Sequence, residues 1–143
     1  MKLTCASSYA LHAVAYMAQQ KSDRPVASHK IAQERGIPER FLLKVLKPLV
    51  TARVLTSIKG PNGGYKLARP ATEISVLEIV EAVDGPIRGQ APPPEPTNKK
   101  KYPQYKPENS EPLFTRLDTV CQQTAEQVRK QIEKVKLSEL IKK

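Results

Sequence analysis

The stretch SIKGPNGGYKLAR, residues 57–69, places Asn62, Gly63 and Gly64 between two short runs of alternating character. On one side Val54, Thr56 and Ile58 alternate with Leu55, Ser57 and Lys59; on the other, Tyr65 and Leu67 resume the period of two. That period belongs to a strand with one covered face. Asn-Gly between two such runs is a strong short-range hairpin signal, because a two-residue turn needs positive φ at both positions. The sequence therefore predicts a small β-hairpin turning at Asn62 and Gly63.

Three helical segments precede it. In residues 3–18, Leu3, Ala10, Leu11, Val14, Met17 and Ala18 recur at three- and four-residue spacing and give one apolar stripe. A second helix is expected to open at Ser28, whose hydroxyl can accept from a free first-turn amide, and to stop at Gly36 in a left-handed cap. A third opens at Pro38, which has no amide hydrogen to lose in a first turn. On it, Phe41, Leu42, Val45, Leu46 and Leu49 form the predicted core face, and Arg40, Leu43, Lys44 and Lys47 the outer face. Pro48 should weaken its last turn.

Two short helices joined through Gly36, the second basic outside and followed by a hairpin, have the lengths and charges of a helix-turn-helix with a wing. From Arg40 to Thr72 there are seven cations (Arg40, Lys44, Lys47, Arg53, Lys59, Lys66, Arg69) and no acid, as a phosphate-facing surface requires.

The totals agree. With 24 Lys and Arg against 14 Asp and Glu, the 143-residue chain carries +10 at neutral pH and favours a polyanion, nucleic acid before an anionic membrane. No apolar run approaches the roughly 20 residues that cross a bilayer. Cys5 and Cys121 make no CxxC pair, so neither a disulfide scaffold nor a zinc knuckle is indicated, and a reducing cytoplasm is the expected setting. No phosphate-binding glycine loop, paired carboxylates or nucleophile motif points to an enzyme.

After the hairpin, Ser75 and Glu78 form a capping box ahead of Ile79, Val80 and Val83, so a fourth helix is expected to run to about Asp84, stop at Gly85 and pack beneath the wing. Residues 86–112 hold eight prolines and the run Lys99, Lys100, Lys101, and read as a linker unable to build core. From residue 113 the helical period returns. Leu113, Leu117, Val120, Thr124, Val128, Ile132 and Val135 share a stripe suited to pairing with a second copy, the alternative being packing back on the same chain. The tail KLSELIKK adds a short turn expected to be capped by Ser138. The division is thus a DNA-binding domain (1–85), a linker (86–112) and a dimerisation helix with its tail (113–143).

These residues resemble a known group. MKLTCASSYALHAVAYMA, IAQERGIPERFLLKVLKPL, IKGPNGGYKLARPATEISVLEIVEAVDGP and KLSELI look like the bacterial Rrf-type winged helix-turn-helix regulators typified by IscR, NsrR and CymR. The resemblance covers residues 1–87 and resumes at the long helix. It implies a mainly α fold with a small hairpin and a homodimeric transcription factor, expected to repress from an inverted repeat. Arg40, Leu43 and Lys44 would then face base edges in the major groove, and Lys59, Asn62, Gly63 and Tyr65 the backbone or minor groove. Ser28, Lys30 and Lys47 complete the expected DNA-contacting set.

Two departures from the group stand out. Many members hold an iron–sulfur cluster through three cysteines, yet residues 86–112 contain neither cysteine nor histidine, so no cofactor is expected. Cys5 and His12, the remaining metal candidates, lie about 10 Å apart along a helix, too far to share an ion. Arg53 stands where the group carries a stop glycine, at about 1 kcal/mol if the backbone there is left-handed. Redox sensing by Cys5 or Cys121 is an open alternative to burial as small apolar groups. A winged-helix module binding protein, or double-stranded RNA, remains the competing reading of the partner.

Overall fold

The computed structural model describes residues 1–92 and 100–142, without the side chains of residues 107–110. Part of the proline-rich segment, including Lys99, lies outside the described residues. The elements run α1 (Cys5–Ala18), α2 (Ser28–Arg35), α3 (Glu39–Thr51), β1 (Leu55–Ile58), β2 (Gly64–Leu67), α4 (Val76–Asp84), α5 (Pro107–Lys134) and α6 (Leu137–Leu140). Two compact units result: Met1–Pro86 with Gln131–Lys143, and Ile87–Lys130.

In the first unit, Ala10, Val14 and Met17 of α1 meet Ile31 of α2, Leu42, Leu46 and Leu49 of α3, and Ile79 of α4 in one buried cluster. α1 starts two residues later than the apolar spacing suggested: Thr4 caps it by accepting from the Ser7 amide (3.0 Å), and Leu3 stays exposed outside the helix. Thr4 Oγ1 also donates to the Asp84 carboxylate (2.8 Å), and the buried Ser7 hydroxyl donates to the same group. The end of α4 is thereby clamped to the start of α1, where an anion also meets the positive end of the helix dipole.

Gly36 closes α2 in the left-handed region (φ 62°), as expected. Ser28 is not its cap: Ala27 occupies that position, and Ser28 instead donates to Glu39 of α3 (3.2 Å). Phe41 is also misplaced by periodicity, for it is 51% exposed while Leu42, Val45, Leu46 and Leu49 are buried. The buried stripe of α3 is narrower than assumed, and Phe41 falls on its shoulder. Pro48 lies inside the helix, which continues to Thr51.

The strands pair antiparallel with Leu55 opposite Leu67 and Ile58 opposite Gly64, leaving a five-residue loop, residues 59–63. This corrects the two-residue turn. Neither Asn62 nor Gly63 has positive φ; Gly60 does (113°), and the Gly63 amide donates to the Gly60 carbonyl (3.0 Å) around Pro61 and Asn62. Proline presets the second position of such a turn.

α4 carries the predicted capping box, with Ser75 accepting from the Glu78 amide and Glu78 from the Ser75 amide, but it packs on α1 and α3 rather than beneath the wing. α6 is preceded by Lys136, not capped by Ser138. Leu137 is fully buried, and the chain around it is stitched back by Leu137 N–H to Ile74 O (2.8 Å), Val76 N–H to Val135 O (2.9 Å) and Ser138 N–H to Ala71 O (3.1 Å).

In the second unit, α5 begins at Pro107, ahead of the expected Leu113, and contains Pro112. Residues 87–92 pack along it, contrary to their reading as coreless linker. The Ala91 amide donates to Asp118 (3.0 Å), Ala91 is buried, and a Cβ on Gly89 would fall 1.8 Å from the Cys121 carbonyl oxygen. Only a residue without a side chain permits that approach.

Candidate nucleic-acid interface

α3 presents Arg40, Leu43, Lys44 and Lys47 to solvent, as its period predicts. The Lys44 ammonium lies 5.6 Å from the centre of the Phe41 ring, a cation–π distance that leaves it free for a phosphate or base edge. Glu39 brings one acid to the start of the helix, occupied by the Ser28 hydroxyl.

The wing is not a free arm. Val26, in the segment between α1 and α2, bridges to Tyr65 through two backbone hydrogen bonds of 2.8 Å. Gly64 makes this possible: a Cβ there would sit 2.3 Å from the Val26 carbonyl oxygen, and its φ is 152°. Gly63 is similarly confined: a Cβ there would sit 2.2 Å from the Ile58 carbonyl oxygen. The paired glycines thus serve close backbone approach inside the protein. Lys59 and Asn62 are exposed on the loop, and Gly63 and Tyr65 are half-buried.

Between the loop tip and the α1–α2 segment runs an open groove of about 810 Å³, lined by Arg24, Lys30, Pro61, Asn62 and Gly63 among others. It places the expected contact Lys30 beside the wing and adds Arg24, which sequence reasoning missed. A lone arginine in a polar loop carries no signal of its own; only the fold brings it to Asn62.

Charge counting overstated the available surface. Lys66 pairs with Asp23 (3.4 Å), an exposed and therefore weak bridge. Arg69 is committed internally: its guanidinium meets Glu78 (2.5 Å) and donates to the carbonyls of Glu73 (3.3 Å) and Arg53 (3.4 Å). Burial alone would raise the Glu78 carboxyl. The Ser75 amide, the Arg69 guanidinium and the Ser75 hydroxyl outweigh it and hold the group below its ordinary value. Arg53 has φ 59°, so it does occupy the left-handed position where glycine was expected.

Cys5 and His12 are both exposed on α1, and Cys121 is half-buried on α5. Hydrogen bonding and charge at Cys5 raise the Tyr9 phenol above its ordinary 10.0. On α5, Leu113 (64% exposed), Leu117 (49%) and Val120 (57%) form an uncovered apolar stripe, continued by exposed Thr124 and half-buried Val128; Ile132 and Val135 are half-buried. Among the described residues no helix is long and apolar enough to cross a membrane.

Fold and surface together define a winged helix-turn-helix transcriptional regulator. The chain belongs to the Rrf2 family, described as iron-dependent transcriptional regulators, which it matches over residues 3–143. It is 38% identical over 87 residues to the HTH-type regulator Rv1287 of Mycobacterium tuberculosis, covering 61% of this chain and 54% of that one. With IscR of Photobacterium profundum the identity is 34% over 84 residues, 59% and 49% of the two chains. The chain thus spans about half the length of the curated relatives it matches. The structure of CymR, the global cysteine regulator of B. subtilis, has the same fold, with a TM-score of 0.68 at 22% identity over 99% of this chain and 96% of the other.

The Rrf2 family is described as iron-dependent. Among the described residues no three His, Cys, Asp or Glu side chains converge to hold a metal, and the whole chain has two cysteines, one in each unit. An all-cysteine iron–sulfur cluster draws on four thiolates.

Proposed function

We propose that the protein acts as a homodimer that binds an inverted repeat in double-stranded DNA and represses transcription without an iron–sulfur cluster. The supporting observation is the exposed cationic ridge of Arg40, Lys44 and Lys47 beside a wing anchored at Val26, with Lys30 and Lys59 on its flank. The α3 helix enters the major groove, and the loop at residues 59–63 follows the adjacent backbone. Arg40 and Leu43 meet base edges; Lys30, Lys44, Lys47 and Lys59 neutralise phosphates. A second copy covers the stripe of Leu113, Leu117 and Val120 and supplies the other half-site. Repression follows from occupancy, since a bound dimer excludes other proteins from the grooves it fills.

Selection of duplexes from a random pool at fixed salt tests this. The expected product is two inverted half-sites at one interval, bound by a dimer. With about four phosphates neutralised per protomer, the logarithm of affinity should fall with that of salt at a slope of about −7. Protein purified without oxygen should carry no stoichiometric iron or sulfide and bind equally before and after exposure to air. A monomer without sequence preference, or binding that requires iron, overturns the proposal.

A further inference from the structure

The outer face of α3 holds two large apolar side chains among its cations. Phe41 is 51% exposed and Leu43 44%. At 100° per residue they fall on opposite shoulders of the strip formed by Arg40, Lys44 and Lys47. A scattered exposed leucine needs no explanation, but these two lie in the first turns of the helix that a helix-turn-helix lays against base edges. They leave water when a duplex arrives, and neither can donate or accept a hydrogen bond. The one apolar group on the major-groove edges of the four base pairs is the C5-methyl of thymine. Like-for-like desolvation therefore selects it, and the adjoining cations hold the phosphates that keep the helix seated.

We propose that Phe41 and Leu43 read thymine methyl groups, so that each half-site carries thymines beneath both shoulders of α3. This rests on the DNA-binding reading above and deepens it by naming the chemical group recognised. Lys44, held 5.6 Å from the Phe41 ring centre, fixes that ring while keeping its own charge toward the backbone.

Deoxyuridine in place of thymine removes only the methyl and keeps every hydrogen-bonding group, which makes the test direct. Binding is measured at fixed salt on the selected duplex and on the same duplex with single thymines of the half-site replaced. Each methyl read by Phe41 or Leu43 should contribute about fourfold in affinity, the equivalent of one buried methyl. In Leu43→Ala and Phe41→Ala, both exposed in the free protein and so expected to fold, the thymine–uracil difference should vanish at the position each residue reads. Leu43→Met should retain it. Equal binding of thymine and uracil duplexes by a protein that still selects its sequence overturns this inference alone. So does a uracil penalty that persists in both alanine variants. Loss of all sequence preference in the unaltered protein overturns the DNA-binding reading and this inference with it.

Discussion

Replacing Gly64 by alanine should detach the wing from the rest of the domain. The added Cβ would land 2.3 Å from the Val26 carbonyl oxygen and 2.5 Å from its carbon, both backbone atoms that no rotamer change can move aside. Relief requires the β2 strand to part from the α1–α2 segment, losing the two 2.8 Å hydrogen bonds between Val26 and Tyr65. At about 1 kcal/mol each, these account for about 2 kcal/mol. A φ of 152° adds strain of about 1 kcal/mol for a residue with a side chain. The sum, about 3 kcal/mol, corresponds to a fall in Tm of about 10 °C for a domain of this size. Gly60→Ala is the control: its φ is 113°, but the new Cβ meets nothing within 4 Å, so it bears the conformational cost alone. Thermal denaturation by circular dichroism compares the two, and duplex titration at fixed salt follows the wing. Gly64→Ala should lose affinity beyond Gly60→Ala. Coincident melting curves for the two variants, or unchanged DNA affinity in Gly64→Ala, would refute the anchoring role given to the Val26–Tyr65 bridge.

Arg53→Gly should stabilise the protein by about 1 kcal/mol by releasing left-handed strain, whereas Arg53→Ala should not; equal melting shifts in both variants would assign the effect to charge instead. The Glu78 carboxyl is held below its ordinary value of 4.5, so its contribution is present above that pH and is lost as pH falls through the lower folded-state value. Glu78→Gln should therefore flatten the acid side of the stability–pH curve, and an unchanged profile in acid denaturation would count against the Arg69–Glu78–Ser75 network. Leu117→Glu should leave the fold intact, because the side chain is already exposed, yet weaken self-association by about 2 kcal/mol or more if the stripe is the dimer seam. Analytical ultracentrifugation gives the answer, and a dimer of unaltered affinity would place the seam elsewhere.

Elements governed by local chemistry were legible in the sequence. The Ser75–Glu78 capping box and the Gly36 stop each follow from residues within a turn of one another, and both stand as read; the left-handed backbone at Arg53 was raised only as a condition, from the resemblance to a group with glycine there. Errors arose where a distant partner decided the outcome. Asn-Gly suggested a two-residue turn, but the register pairs Ile58 with Gly64 and sets Gly64 against Val26, nearly forty positions upstream. Lys66 and Arg69 counted as free cations until the fold brought Asp23 and Glu78 to them. Leu137 gave no hint of full burial, since its cavity is assembled from helices made much earlier in the chain. For the interface, α3 was readable because its period separates the cations from the core; Arg24 was not, because its place beside Asn62 depends on a loop.

That late leucine has a bearing on biosynthesis. A ribosome completes α1 through α4 long before it reaches residue 137, so the nascent domain waits with an unfilled hole near Ile74 and with the amide of Val76 lacking its acceptor. Closure of the domain waits for α6, and a message cut short ahead of it should yield a less stable head rather than a smaller working one.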